Sequence, residues 1–261
     1  MADTLIELVT AQGVATLTLN RPDKRNAFSD AMRSDFIDAL ESVTADKSIR
    51  ALVLTGAGAA FCAGGDISGM KQRLSAPSGE LAFNGWRRQQ IVHRAQALLH
   101  TCPKPVIAAV NGAASGLGAD TAMACDFIMG SEHASFSWSY ILRGIMPDGG
   151  GMYFLPRRIG LSQAKQLIFT GRRVDADEAL ALGILDRKVR AEQLLDAAQE
   201  WARELSQVSM TALGLTKTIL NQSFEMGSHE VFAQGSQAQG ICYTSSEHRA
   251  AVEAFLTKLG S

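Results

Sequence analysis

Residues 14–19 set Val14, Thr16 and Thr18 against Ala15, Leu17 and Leu19, and residues 5–9 form a second short apolar stretch just upstream. Two strands are predicted there, with Gln12-Gly13 as the turn between them. Arg21-Pro22-Asp23-Lys24 reads as a loop, and Ser29 is placed to cap a helix carrying Met32, Phe36, Ile37 and Leu40 on one face. Residues 50–55 form a short apolar strand, followed at 56–65 by a glycine- and alanine-rich loop. The stretch 75–80 reads as a flexible excursion, 81–100 as a helix ending before Cys102-Pro103-Lys104-Pro105, and 106–110 as a buried strand. A second glycine-rich segment, Gly112-Ala113-Ala114-Ser115-Gly116-Leu117-Gly118, leads into a helix over 117–125, and 126–130 is another strand. The middle of the chain therefore repeats strand, glycine-rich loop, helix, which predicts an α/β core.

The last third has a different pattern. Residues 162–170 are helical, and Asp175-Ala176-Asp177-Glu178 has capping-box spacing ahead of a helix that stops at Gly183. Four further helical patterns follow over 191–205, 210–222, 228–243 and 245–259. No Pro/Ser-rich linker precedes them, so this tail is expected to pack on the core or on a neighbouring subunit.

Composition adds little that is special. The 261 residues are 46% apolar and 20% charged, with a net charge of −1. These values fit a globular protein and give no electrostatic reason to expect nucleic acid or an anionic membrane surface as partner. No apolar run approaches the roughly 18 residues of a membrane span, and the N-terminus is acidic where a signal peptide is basic. Cys62, Cys102, Cys125 and Cys242 fit no zinc or CxxC spacing and read as reduced thiols, so the expected location is cytoplasmic. The five histidines show no metal-binding pairing, no metal is expected, and Lys104 reads as a solvated loop charge.

Candidate chemistry lies in the glycine-rich segments. Each follows an apolar strand, and exposed N–H groups from two such loops aimed at one point would form an oxyanion hole. Taken singly, either loop is also what a tight turn in an α/β protein looks like. Neither is a P-loop or a Gly-x-Gly-x-x-Gly fingerprint, and no Gly-x-Ser-x-Gly elbow is present. Asp120, in the first turn after the second loop, reads either as a carboxylate favoured by the helix end or as a proton carrier. Asp148, in Met146-Pro147-Asp148-Gly149-Gly150-Gly151, reads either as an N-cap or as a desolvated base. Trp138 and Tyr140 read as pocket wall or core.

Several segments in fixed order carry a resemblance: Leu19-Asn20-Arg21-Pro22 with Arg25-Asn26-Ala27-Phe28; Phe61-Cys62-Ala63-Gly64-Gly65-Asp66-Ile67; Lys104-Pro105-Val106-Ile107-Ala108-Ala109-Val110-Asn111-Gly112; Cys125-Asp126-Phe127; and Leu155-Pro156-Arg157-Arg158-Ile159-Gly160. Thr170-Gly171-Arg172 and Ala179-Leu180-Ala181-Leu182-Gly183-Ile184-Leu185 continue the series. In this order they resemble the crotonase family, also called the enoyl-CoA hydratase/isomerase family. The resemblance implies a crotonase-like spiral of ββα units over residues 1–205. It implies a helical segment over 206–261 that builds a homotrimer or a dimer of trimers. It also implies an acyl-CoA thioester as substrate, with no separate cofactor.

By the same resemblance the oxyanion donors fall on the N–H groups of Gly65 and Leu117. CoA contacts fall on Lys24, Arg25 and Ala27, and on Ala63, Asp66 and Ile67. Hydratases of the family use two glutamates, and here those places hold Asp120 and Tyr140. Asp148 matches a third family position, and its Pro-Asp-Gly-Gly setting looks most like the isomerase branch. The expected activity is therefore enoyl-CoA isomerisation, with Asp148 moving a proton between carbons and Asp120 assisting. Trp138, Tyr140 and the stretch 74–97 would shape the acyl pocket. The alternatives are a hydratase using Asp120 with Asp148, and a non-catalytic acyl-CoA-binding protein.

Overall fold

The computed structural model of the protein describes residues 4–68 and 75–259. Met1, Ala2 and Asp3, which carry the acidic N-terminus, lie outside the described residues, as does Leu74, where the stretch expected to shape the pocket begins.

The chain opens with the expected hairpin. Strands β1 (Ile6–Ala11) and β2 (Val14–Leu19) run antiparallel, joined by Gln12 and Gly13 at positive φ. The expected loop after β2 contains a single 3-10 turn at Pro22–Lys24, with proline at the first position, where an N–H is not required. Ser29 accepts a hydrogen bond from the Met32 N–H at 3.1 Å and caps α1 (Asp30–Ala45). The helix buries Met32, Phe36, Ile37 and Leu40, the face marked by the sequence. In β3 (Ala51–Gly56), Leu52 and Leu54 face one core cluster while Ala51 and Val53 face another. A parallel strand covered on both sides is apolar throughout for that reason.

The glycine-rich stretch 56–65 is not all loop: it contains β4 (Ala60–Cys62). Helix α2 (Ser78–Thr101) follows and takes up part of the expected excursion. After β5 (Val106–Val110), the second glycine-rich segment likewise contains β6 (Ala113–Ser115), ahead of α3 (Leu117–Met123). After β7 (Phe127–Ser131) comes β8 (Ser135–Ser137). Strands of three residues are too short to show a period, so the sequence pattern does not reveal them. Helices α4 (Gly151–Ile159) and α5 (Leu161–Thr170) lead to β9 (Arg173–Asp175). Asp175 then caps α6 (Ala176–Leu182), accepting from the Glu178 N–H at 2.9 Å, and β10 (Arg187–Val189) ends the sheets.

These strands form two sheets. A six-stranded sheet has the order β1-β2-β3-β5-β7-β10, and a four-stranded sheet has the order β4-β6-β8-β9. Successive turns of the chain place one strand in the larger sheet and the next in the smaller. The β4–β6 and β6–β8 pairs are parallel, as are β3–β5 and β5–β7. This is the expected α/β spiral. The outer face of the large sheet is covered by α7 (Leu194–Leu205), which buries Leu194, Ala198, Trp201 and Ala202 against Val53, Ile107 and Met129.

Of the tail helices, α8 (Met210–Gln222) packs on the core. Lys217 Nζ donates to Asp126 Oδ2 at 2.7 Å and to the Lys104 carbonyl at 3.1 Å, and Asn221 donates to the His100 carbonyl at 2.8 Å. Helices α9 (Ser228–Thr244) and α10 (Ser246–Leu259) complete the described residues. Lys104 is not a solvated loop charge. It is buried, and its Nζ donates to the carbonyls of Val43 and Asp46 at 2.5 and 2.6 Å, satisfying groups left open at the end of α1. Among the described residues, no helix is long and apolar enough to cross a membrane, and all four cysteines are free.

The Lys217–Asp126 pair ties the tail to the core where neither side chain is well hydrated. Removing the cation leaves a carboxylate enclosed beside the Val106 N–H, so Lys217→Ala is expected to destabilise the fold by about 3 kcal/mol. Urea unfolding of the two proteins checks this; a loss below about 0.5 kcal/mol would place the pair among ordinary surface ion pairs.

Candidate active site

Two loops are pressed together by contacts that leave no room for side chains. A Cβ on Gly112 would stand 2.1 Å from the Ala59 carbonyl oxygen, and one on Gly118 would stand 2.2 Å from the Cys62 carbonyl oxygen. A Cβ on Gly64, which has φ +102°, would stand 2.8 Å from the Ser115 oxygen and 3.5 Å from Leu117 N. Glycine at these positions lets one backbone lie directly on the other. The loop over 61–67 is therefore fixed against the start of α3.

The two loops share a cavity of about 910 Å³, lined by both Gly65 and Leu117. Among the hydrogen bonds of the described residues, neither the Gly65 N–H nor the Leu117 N–H has a protein acceptor. Leu117 is the first residue of its helix, where amides have no partner within the helix. Nothing stands within 4 Å of the position a Cβ would take on Gly65, so that face is open.

Asp148 lines the same cavity. It lies in the turn before α4 but does not cap it; Gly150 does. Its carboxyl is half-buried, and burial raises its pKa, partly offset by its own backbone N–H and by the charges of His93 and Arg88. His93 Nε2–H donates to the Asp148 carbonyl at 2.9 Å and steadies the turn from α2. Neither His93 nor Arg88 is marked by any sequence spacing; the fold brings Arg88 to the cavity wall and His93 to the Asp148 backbone.

Asp120 lies behind the cavity wall. It is wholly buried, does not line the cavity, and both of its oxygens are engaged. Trp138 Nε1 donates to Oδ1 at 3.0 Å and Tyr140 Oη donates to Oδ2 at 2.7 Å, while the Gly149 N–H also bonds to the carboxylate. Burial pushes the Asp120 pKa up to about 7; the hydrogen bonds pull it down, and the nearby charge of Asp148 pushes it up. Trp138 is also corrected. It has no exposed surface and braces Asp120, because its indole N–H needs a buried acceptor and finds one there. Tyr140 does line the cavity.

The expected CoA contacts divide in two. Ala63, Asp66 and Ile67 line the cavity, but the Asp66 carboxylate is engaged. It accepts from the Ser68 hydroxyl and N–H at 2.5 and 2.8 Å and pairs with Arg21 at 2.6 Å, and these contacts hold its pKa well below the usual range. Lys24, Arg25 and Ala27 do not line the cavity. Lys24 and Arg25 are exposed, and the wholly buried Asn26 that follows them bonds inward to the Ala57 and Ala60 carbonyls. The Arg25 carbonyl accepts from the Ala63 N–H at 2.9 Å. Among the described residues, no cluster of three His, Cys, Asp or Glu side chains could hold a metal. The arrangement offers two unpaired amides and one half-buried carboxylate around a single space. It is suited to polarising a carbonyl and moving a proton beside it.

Comparison with known proteins gives a consistent picture. A family profile described as Enoyl-CoA hydratase/isomerase matches residues 9–260. The chain is 36% identical over 247 residues to a 1,2-epoxyphenylacetyl-CoA isomerase of Escherichia coli, covering 95% of this chain and 93% of that protein. It is 34% identical over 246 residues to a short-chain-enoyl-CoA hydratase of Clostridium acetobutylicum, covering 94% and 92%. Among solved structures it matches an enoyl-CoA hydratase from Bacillus anthracis with a TM-score of 0.90 at 30% identity, covering 98% of this chain and 97% of that one. It matches an enoyl-CoA hydratase/isomerase from Cupriavidus metallidurans with a TM-score of 0.91 at 34% identity, covering 99% and 95%.

The glycines of the Asp148 turn make a sharp test of this geometry. A Cβ on Gly151 would stand 2.4 Å from Asp120 Oδ1 and 2.9 Å from Trp138 Cδ1. Gly151→Ala is expected to destabilise the protein by about 1–3 kcal/mol, whereas Gly65→Ala, which meets open space, should be near neutral. Equal unfolding midpoints for Gly151→Ala and the unaltered protein would mean that the carboxyl is not packed there.

Proposed function

The chain belongs to the enoyl-CoA hydratase/isomerase family, and we propose that within it the protein is an enoyl-CoA isomerase that shifts the double bond of an acyl-CoA thioester. The observation that carries this reading is the common cavity: a half-buried Asp148 and the unpartnered amides of Gly65 and Leu117 line it together. The two N–H groups bind the thioester oxygen. Enolisation puts negative charge on that oxygen, so each donor contributes more to the transition state than to the bound substrate, roughly 3 kcal/mol apiece. Asp148 takes a proton from the carbon beside the thioester, and the electron pair spreads into a dienolate. Protonation two carbons further along leaves the double bond in conjugation.

Asp148 suits the task because partial burial raises its basicity toward neutral pH. Hydration fits less well. It needs two carboxylates on one water, and Asp120 is enclosed by Trp138 and Tyr140 behind the cavity wall. Ala63 and Ile67 line the cavity and would meet the CoA portion, and the exposed Lys24 and Arg25 lie on the segment whose Arg25 carbonyl accepts from the Ala63 N–H. The apolar side chains left exposed on the tail helices, among them Phe232, Tyr243 and Phe255, suit burial against further copies of the chain in a trimer or a dimer of trimers.

Asp148→Asn should lower kcat by about 10²- to 10⁴-fold with acyl-CoA affinity unchanged. The assay is conversion of a 3-enoyl-CoA to its conjugated isomer, followed by absorbance. An unchanged rate removes Asp148 from the mechanism, and efficient conversion of a 2-enoyl-CoA to a 3-hydroxyacyl-CoA would replace the isomerase reading by the hydratase one.

A further inference from the structure

Base and oxyanion donors leave several polar groups of the cavity wall without a task, and Tyr140 is the one bonded to a buried carboxyl. Tyr140 lines the cavity, and its hydroxyl is bonded at 2.7 Å to a carboxyl that solvent does not reach. The direction of that hydrogen bond depends on a single proton. When Asp120 is ionised, the phenol donates to it. When Asp120 is protonated, it can donate to the phenol oxygen, and the phenol O–H is free to turn into the cavity. Burial poises Asp120 near neutrality, with a pKa pushed up to about 7, so both states are accessible. Trp138 Nε1–H and the Gly149 N–H hold the carboxyl in place throughout.

Tyr140 alone would be a poor acid. Its burial, and then the charge of Asp120, raise the phenol well above its usual range. A free phenolate is therefore disfavoured, and the phenol can give up its proton only as it receives another. The carboxyl behind it is the group placed to supply one. The Tyr140 ring lies over Gly116, whose φ of +53° favours glycine; a Cβ there would lie 3.6 Å from the ring, in ordinary contact.

We infer that Tyr140 delivers the second proton of the isomerisation, from its hydroxyl to the far carbon of the dienolate, and that Asp120 returns a proton to the phenol oxygen in the same step. This rests on the isomerase reading. First, the C–H bond beside the thioester breaks, its proton goes to Asp148 and its electron pair enters the dienolate. Next, that pair forms a new C–H bond with the Tyr140 proton, while the Asp120 O–H bond breaks toward the phenol oxygen and leaves its pair on the carboxylate. Nothing is oxidised or reduced. The cycle ends with Asp148 protonated and Asp120 ionised; Asp148 exchanges with water in the open cavity, and Asp120 regains its proton through the Tyr140 hydroxyl, which passes one back to Asp120 as it takes one from cavity water. Tyr140 is thus a catalytic residue, and Asp120 acts through it.

The test uses the full-length protein with a 3-enoyl-CoA in deuterated water. Two quantities are read: deuterium entering the carbon beside the thioester, and formation of the conjugated product. Tyr140→Phe should keep the exchange and the KM within about threefold, because Asp148 still acts, while product formation falls at least about 10²-fold. Asp120→Asn keeps the shape but has no acidic proton to pass on, and should show the same split; it carries the test alone if Tyr140→Phe does not fold. Product formation at the unaltered rate in either folded variant overturns the inference. So does parallel loss of exchange and product, which would make the pair only a support for the base. Asp148→Asn separates the two readings: if that variant retains exchange, the isomerase reading fails on its own, and the Tyr140 comparison still decides the relay.

Discussion

The site depends on two stretches of backbone lying closer together than side chains allow. Carbonyl oxygens of Ala59, Cys62 and Ser115 occupy the space where Cβ atoms of Gly112, Gly118 and Gly64 would be. Those contacts bring the open face of Gly65 and the first amide of α3 to one cavity. They are anchored from behind by parallel pairing between β4 and β6, so the small second sheet acts as a clasp between successive turns of the spiral. An amide held in this way is already oriented before substrate binds. That is why a backbone donor can stabilise developing charge with little reorganisation.

Asp120 is a second constraint on the same region. One carboxyl receives Trp138, Tyr140 and the amide that follows Asp148, so strand β8, helix α3 and the turn before α4 meet at it. Gly149 and Gly151 are required there because Cβ atoms would stand 2.6 and 2.4 Å from its two oxygens. A buried carboxyl with a raised pKa is a costly way to brace a turn. It becomes understandable if the proton it holds is also used, which links the packing of this corner to the chemistry proposed for it.

Much of this was legible in the residues. The period of two in β2, the Ser29 and Asp175 caps and the apolar face of α1 follow from local rules and appear where they are expected. Residues of both glycine-rich loops line one cavity, and Asp148 lines it with them. What was not legible is long-range or very short. The strands β4, β6 and β8 have three residues each, too few for a pattern. The burial of Asp120 and Trp138 depends on how α3 and the segment after β8 pack together, which spacing cannot convey. Lys104 looked like a surface charge because nothing nearby in sequence reveals that the carbonyls of Val43 and Asp46 are waiting for it.

The central claim, that the Gly65 and Leu117 amides converge on one thioester oxygen, can be measured on the bound ligand itself. A CoA thioester labelled with carbon-13 at its carbonyl gives an isotope-edited infrared band whose frequency falls as hydrogen bonds to the oxygen strengthen. The expected result is a band at lower frequency in the complex than in water, and one that moves back when Gly65→Pro removes a donor. A bound carbonyl that absorbs at or above its frequency in water, in a complex shown to be saturated, would contradict it.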